Sequence, residues 1–536
     1  MSKIATYLNE HLAGEASSDI AILKQLSTDQ GVLYNQPELV VNSANINDVR
    51  KVMRFCYQLA EKGHVMPVTV RGYSTDPTSG GLTGGIAINL NKYMKRVVGI
   101  DPKQQLIHIQ AGLSISAISA TLSTHKGLGI SSTSYTGEDG TIGGAISTAP
   151  SGITAGKHGF LADSIDQMEI VLSNGDVIKT GRISRRELNK KKGLATFEGE
   201  IYRELDNLIT DNAELISQLD ADAPETAGFG QIAKVKKKDG SFDLTPLFCG
   251  SQGTLGIICE IIMKARFISP NVTVVIAQFE DITEALGAAD IMMSSKASGV
   301  ELIDGRIMQH VAKAGKKVTW ADSEILGGGI VMAIFDDFSE HTQAKLVKKL
   351  TKKLNKTDVL SISELKLEHH ELYSLHSFLT VAHQPTASGT VSPQIFSGIW
   401  LPNHQIANFI ESLKKIEENY QIDLPLFTDY SSNYIDVVVK FDSKKISERQ
   451  KILHLLAEIS AIVDSLGGSF AGFGGDGKLK SSFVRKNFSD EEKQLYDQVK
   501  QIFDPMKILC PEVKSDIPVK TLANELNTWC KNHNQA

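Results

Sequence analysis

The stretch RGYSTDPTSGGLTGG (Arg71–Gly85) decides the fold. It lies between the apolar run HVMPVTV and the alternating run GGIAINL, so it joins one strand to another. Its glycines and small hydroxyl residues leave backbone N–H groups bare enough for a diphosphate to approach. A single loop of this kind serves equally well as a plain turn. A second one, YTGEDGTIGGAISTAPSGITAGKHG (Tyr135–Gly159), repeats the composition with Gly140, Gly143, Gly144, Gly152 and Gly159 beside Thr141, Ser147 and Thr148. A third, GSQGTLGII (Gly250–Ile258), runs straight into apolar sequence. Three such loops flanking strands are hard to explain as turns only.

Around these loops the pattern is that of an α+β lobe. Val49, Val52, Met53, Cys56, Leu59 and Ala60 recur at helical spacing between Asn45 and Gly63, with Asp48 near the start, which predicts one amphipathic helix. LIHIQAG alternates as a strand, and QMEIVLSNGDVIKTG places Asn174-Gly175 between two β-rich runs, the sequence of a tight hairpin. From Gly181 to Asp239 the chain turns polar, with the helix-prone EGEIYRELDNLI. The first lobe is taken to end at Phe267. Beyond it VTVVIAQF, GGIVMAIF, QIFSGIWL and YIDVVVKF read as strands, mostly followed by amphipathic helices, one of which turns Leu346, Val347, Leu350 and Leu354 inward. An antiparallel sheet covered by helices is expected over 268–484, as a cap on the first lobe. SDEEKQLYDQVKQIFDP opens 485–536 with Ser489 and Glu492 in capping-box spacing, and this last segment is expected to return to the first lobe.

Composition narrows the function. With 41% hydrophobic and 22% charged residues and a formal charge of −6, the 536 residues are those of a globular enzyme of at least two lobes with no general attraction to nucleic acid. The basic runs Lys190–Lys192 and Lys236–Lys238 read as solvated loops. Five scattered cysteines without C-x-x-C spacing suggest neither disulfides nor a sequence-local metal or iron–sulfur site. The N-terminus has no basic-then-apolar leader pattern and no stretch approaches the ~20 apolar residues of a membrane span, so a cytoplasmic location is expected. Gly472–Gly477 satisfies G-x-G-x-x-G, but it follows a helix-like segment rather than a strand and is not read as a dinucleotide fingerprint.

Taken in order, VVNSANINDVRKVM, PVTVRGYSTDPTSGG, TIGGAISTAPSG, KHGFLADSIDQMEIVLSNGDV, CGSQGTLGII and FDPMKILCPEVK resemble the FAD-binding oxidoreductases of the p-cresol methylhydroxylase and vanillyl-alcohol oxidase superfamily. The D-lactate, glycolate and 2-hydroxyglutarate dehydrogenase branch is the most similar, and the early segment from His11 to Val41 resembles it too. The resemblance covers nearly the whole chain. It implies a two-subdomain FAD lobe with Arg71, Gly72, Tyr73, Ser74, Thr75 and Asp76, followed by Gly80 and Gly81, along the FAD diphosphate. Tyr135, Gly140, Thr141, Gly143, Gly144, Ser147, Thr148, Gly152 and Gly159 would line the ribityl chain and ring. Ile258 would touch the flavin through its backbone, and Leu509-Cys510-Pro511 would close the site. Residues 71–85 hold no His or Cys for a covalent link, and His158 stands where the family more often has an aromatic residue, so non-covalent FAD is expected.

The same resemblance exposes departures. The family's two metal-binding histidines fall on Asp429 and Asp436 in FTDYSSNYIDVVV, and its Glu ligand and His base fall on Phe473 and Gly474. Its substrate-carboxylate arginine falls on His376. Neither Phe nor Gly can bind a metal or take a proton, and imidazole lacks the bidentate fork of guanidinium. In a regular strand Asp429 and Asp436 would face apart. No metal is therefore expected. His376 and His383, two turns apart if helical, are candidate bases for alcohol oxidation, with Tyr430 and Tyr373 as alternatives. The expected function is FAD-dependent oxidation of a small alcohol or hydroxy acid by hydride transfer to flavin N5. The alternative is a flavin-binding protein that has lost this activity and serves as a binding or regulatory partner. The electron acceptor (quinone, oxygen or a protein) and a homodimeric state are left open.

Overall fold

Asn45 caps the helix that the apolar stripe predicts: its side chain accepts from the N–H groups of Asn47 and Asp48, and α1 runs Ile46–Glu61. The structure, a computed structural model, describes residues 3–534 except 126, 131–139, 220–225, 317–319, 321–327 and 385–389. The buried Asp48 carboxylate receives the N–H groups of Ala13, Gly14 and Ala44 at 2.8–2.9 Å, charge-assisted bonds of roughly 1.5–3 kcal/mol each that tie the N-terminal segment to α1.

Two sheets dominate the first lobe, beside a two-stranded pair of Leu128–Gly129 with Arg266–Phe267. β1 (Glu15–Ser17), β2 (Leu39–Asn42), β3 (Val68–Arg71) and β4 (Ile86–Asn89) form one in the order β1-β2-β4-β3, with β4 parallel to both of its neighbours. β5 (Val97–Asp101), β6 (Leu106–Gln110), β7 (Ile165–Val171), β8 (Val177–Lys179) and β9 (Ile257–Lys264) form the other, antiparallel, in the order β5-β6-β9-β7-β8. The β7–β8 turn is the expected hairpin, with Gly175 at φ +83°. α2 (Ile142–Thr148) lies in the second glycine loop, and α3 (Phe197–Asp211) buries Ile201, Tyr202 and Leu205 in the lobe's core.

The cap is built on an antiparallel sheet of seven strands, with a two-stranded pair of Thr390–Val391 and Phe441–Asp442 beside it. β10 (Asn271–Phe279), β11 (Gly299–Asp304), β12 (Gly329–Phe335), β13 (Ser361–Glu368), β14 (Phe396–Trp400), β15 (Leu426–Asp429) and β16 (Tyr434–Val437) follow the order β13-β10-β12-β11-β15-β16-β14. One face packs Val275, Leu302, Val331 and Val437 against α4 (Ile282–Met293), α6 (Glu340–Leu354), α9 (Ile406–Tyr420) and α10 (Ile446–Ser465). The other packs Val274, Ile303, Met332, Phe427 and Tyr434 against α5 (Gly305–Lys313), α7 (Glu371–Leu375), α8 (Ser377–Ala382) and Phe473. The first lobe also reaches this second face, through Ile153 and Phe160.

Three expectations change. The run YIDVVVKF is not one strand: Tyr434–Val437 folds back on β15 after a turn at 430–433, and Phe441 begins a separate short strand that pairs with Thr390–Val391. That turn brings Asp429 and Asp436 to the same face of the sheet, since Asp429 pairs with Tyr434 and Phe427 with Asp436. The last segment divides: α11 (Asp490–Phe503), with its Ser489/Glu492 capping box, enters the first lobe's core, whereas α12 (Val519–His533) buries Leu522, Leu526 and Cys530 in the cap's.

Candidate active site

The three glycine loops meet in one cleft of about 1500 Å³, open to solvent and walled on its far side by the cap. Arg71–Asp76, Gly80 and Gly81 line one end. Ser74 sits at φ +60°, in the left-handed region, which curls the first loop. Among the described residues, the N–H groups of Gly72, Tyr73, Ser74 and Thr75 find no acceptor. Arg71 is buried, its Nη2 donates to the Thr28 carbonyl (2.8 Å) and Ser74 Oγ (2.6 Å), and its Nε lacks a partner. Bare N–H groups and an orphaned guanidinium nitrogen suit a diphosphate. The Asp76 carboxylate is turned back into its own loop, accepting from Thr78 N, Thr78 Oγ1 and Gly80 N. Asp29, on the same rim, is raised to about 7 by burial and by Asp76, with Arg71 opposing.

Gly140, Thr141, Gly143, Gly144, Ser147 and Thr148 form the floor. Thr141 caps α2 by accepting from Gly144 N (3.2 Å). A side chain at Gly143 would strike Ala111, whereas one at Gly144 would meet only Thr141 Oγ1, at 3.1 Å, before the open cleft. The third loop lies over this floor: Gly250 and Gln252 donate to the carbonyls of Ile146 and Ser147 at 2.9 Å, and Gly253, Gly256, Ile257 and Ile258 line the cleft. Gln252 also donates through Nε2 to Thr78 Oγ1 (3.0 Å) and accepts from Gly477 N (2.8 Å). These residues fit an extended dinucleotide such as FAD.

The cap contributes Gln394, Ser397, Gly398, Tyr434, Phe473 and Gly474. Gly474 (φ +78°) belongs to the Gly472–Gly477 segment, which is thus a turn of the cleft wall rather than a fingerprint. Tyr434 packs edge-on to Phe473 at 5.7 Å. Burial, then the Asp436 charge, pushes its phenol well above the usual tyrosine range, with the Gly398 N–H opposing, so it remains a donor.

The expected bases lie elsewhere. His376 is wholly buried at the break between α7 and α8, with Nδ1 donating to the Leu372 carbonyl (2.7 Å) and Nε2 to Glu301 (2.7 and 2.8 Å); it does not line the cleft. Acceptors at both nitrogens call for the imidazolium. Burial lowers its pKa, but Glu301 and the carbonyl outweigh that, and the net direction is upward. His383 Nε2 donates to Asp436 Oδ2 (3.0 Å) behind Tyr434, while the buried His383 Nδ1 and Asp436 Oδ1 find no partner among the described residues. Tyr430 is on the opposite face of the sheet, donating to Asp290 Oδ1 of α4 (2.8 Å). Gly152, Gly159 and Cys510 also lie off the cleft; Cys510 packs on β3 behind Gly253, and burial pushes its thiol up to about 12. Tyr135 lies outside the described residues. The sequence reading missed Asp29, Gln252, Gly398 and Tyr434, and reached Phe473 and Gly474 only as positions where the family's ligand and base are replaced.

The FAD binding domain family matches residues 37–181, and the FAD linked oxidases C-terminal domain family matches residues 268–513. The chain is 24% identical over 497 residues to a D-2-hydroxyglutarate dehydrogenase of Pseudomonas putida, covering 90% of this chain and 48% of that protein. It is 23% identical over 472 residues to glycolate oxidase subunit GlcD of Bacillus subtilis, covering 85% and 84%. The chain spans about half the length of the D-2-hydroxyglutarate dehydrogenases it matches. Its fold is similar to that of 4-ethylphenol oxidase from Gulosibacter chungangensis (TM-score 0.66, 14% identity, 96% and 97% of the two chains). It is also similar to alkyldihydroxyacetonephosphate synthase (TM-score 0.63, 13% identity, 95% and 86%). No helix among the described residues is long and apolar enough to cross a membrane.

Proposed function

We propose that this chain, which belongs to the FAD-linked oxidases through both of its domains, is an oxidoreductase that takes a hydride from the CH–OH group of a small substrate. The observation that carries the reading is the convergence of three glycine loops and an aromatic cap wall on one cleft. FAD, when bound, supplies the hydride acceptor. Arg71 and the N–H groups after it hold the diphosphate, and the bare floor at Gly143 and Gly144 lets the cofactor lie close to the backbone. Phe473 and Tyr434 keep water from the reacting end, and the Tyr434 O–H donates to the substrate oxygen. His376 and Tyr430 become structural residues in this reading.

The cofactor is held without a covalent bond, a reading supported by the absence of His and Cys from the described lining. No divalent metal takes part: Asp429 accepts from Ser431 N and Ser432 Oγ, and Asp436 is paired with His383. A cytoplasmic location agrees with five buried, unpaired cysteines. Purified protein, mixed anaerobically with a panel of alcohols and hydroxy acids before and after chelation, tests the reading through bleaching of the flavin. Bleaching by light but by no donor would instead assign the chain to flavin-binding partners without turnover.

A further inference from the structure

The charges around the reacting end restrict the substrate, on the premise of the oxidoreductase reading above. Among the described lining residues the one cationic side chain is Arg71, at the diphosphate end. The cap wall offers amide, hydroxyl and aromatic groups from Gln394, Ser397, Tyr434 and Phe473.

Behind that wall stand carboxylates. Asp436 is two residues along β16 from Tyr434 on the same face, Asp429 is directly across from Tyr434, and Glu301 is directly across from Asp429. Each of these three acids is 1% exposed. The bases facing them are His376, bonded to Glu301, His383, bonded to Asp436, and Lys480. Burial brings the Lys480 amine down to about 8, with Asp436, Asp76 and Asp476 opposing, and it donates to the Ser397 and Phe470 carbonyls rather than into the cleft. Three acids against three bases cannot sum to a positive site. A substrate carboxylate at this wall would stand in front of the buried Asp429 and Asp436 with no cation among the described lining residues to receive it, an unfavourable placement.

We propose that the substrate is an uncharged alcohol, with its hydroxyl at Tyr434 and its apolar part against Phe473, and that 2-hydroxy acids are excluded. In the reaction the C–H pair leaves as hydride to the bound flavin, the O–H proton leaves to the protein, and the C=O bond forms, which balances a two-electron oxidation.

Matched donors that differ in one carboxylate test this on the holoenzyme: glycolate against ethylene glycol, and D-lactate against (R)-1,2-propanediol. Binding is read from the perturbation of the flavin spectrum and turnover from its anaerobic bleaching. Each diol should bind at least about tenfold more tightly than its acid, and Asp436→Asn should narrow that gap by favouring the acid. Outside the described residues the basic side chains are Lys126 and Lys317, and Lys317→Ala should leave the order unchanged. Tighter binding or faster bleaching by the acids would overturn the inference while leaving the oxidoreductase reading intact. Preferential binding of the diols without bleaching by any donor would uphold the charge selectivity and remove the oxidoreductase reading. Binding of neither member of either pair would overturn both.

Discussion

The imidazole Nε2 of His376 lies 2.7 Å from Glu301 Oε2, and both side chains are closed to solvent. Removing one member strands the other: His376→Leu should cost ~3–5 kcal/mol of stability, and the double change with Glu301→Leu should recover much of it. Because the folded-state pKa of His376 is raised, its stabilisation is complete below the ordinary imidazole value of ~6.5 and is lost as pH rises through the folded value. Urea midpoints of wild type and His376→Leu, followed upward from neutral pH, should therefore converge.

Tyr430 and Tyr434 are four residues apart and on opposite faces of the cap sheet. Tyr430→Phe loses one hydrogen bond to Asp290, worth ~1 kcal/mol, and should leave flavin reduction unchanged. Tyr434→Phe also loses one hydrogen bond, from the Gly398 N–H, and should still fold yet reduce its flavin ~100-fold more slowly. Stopped-flow reduction of the two variants separates the roles, and equal rates would remove Tyr434 from the site.

The two adjacent floor glycines should fail in different ways. Gly143→Ala drives a methyl to 2.8 Å from Ala111 Cβ and 2.9 Å from its carbonyl oxygen, which should lower stability by ~1–3 kcal/mol. Gly144→Val projects into the cleft and should give a folded, colourless protein. Thermal unfolding and flavin content measured on both variants test the assignment.

Asp29 gives cofactor retention a pH dependence. Its folded pKa of about 7 stands above the ordinary carboxyl value of ~3.9, so in the flavin-free protein its contribution is complete below that value and is lost as pH rises through about 7. The carboxylate formed there lies at the cleft end proposed for the diphosphate, so FAD affinity should fall over the same range. Asp29→Asn should flatten the profile, read from the fluorescence of released flavin.

Local signals carried most of the architecture. The apolar stripe and Asn45 set α1, Asn174-Gly175 set the β7–β8 turn, and Ser489/Glu492 set the start of α11, because each is fixed by neighbours within a few residues. The first two glycine loops were legible for the same reason. The cap wall was not, because Tyr434 reaches the cleft only after the turn at 430–433 reverses the chain, and treating Asp429 to Asp436 as one regular strand hid that reversal. Ser431-Ser432-Asn433 was the available turn signal. The segment from Gly472 to Gly477 drew notice for its glycines, but its role depends on a contact with Gln252, far away in sequence.

That contact bears on how flavin comes and goes. Gln252 holds the second loop through its backbone, the first through Thr78 and the cap-side turn through Gly477. No one loop can swing aside without breaking bonds shared with the other two, so the cradle opens as one cooperative unit. Exchange of the cofactor is then governed by the rate of that local unfolding rather than by diffusion through the open mouth. The holoprotein should behave as a kinetically trapped assembly, loaded most readily while the chain is folding.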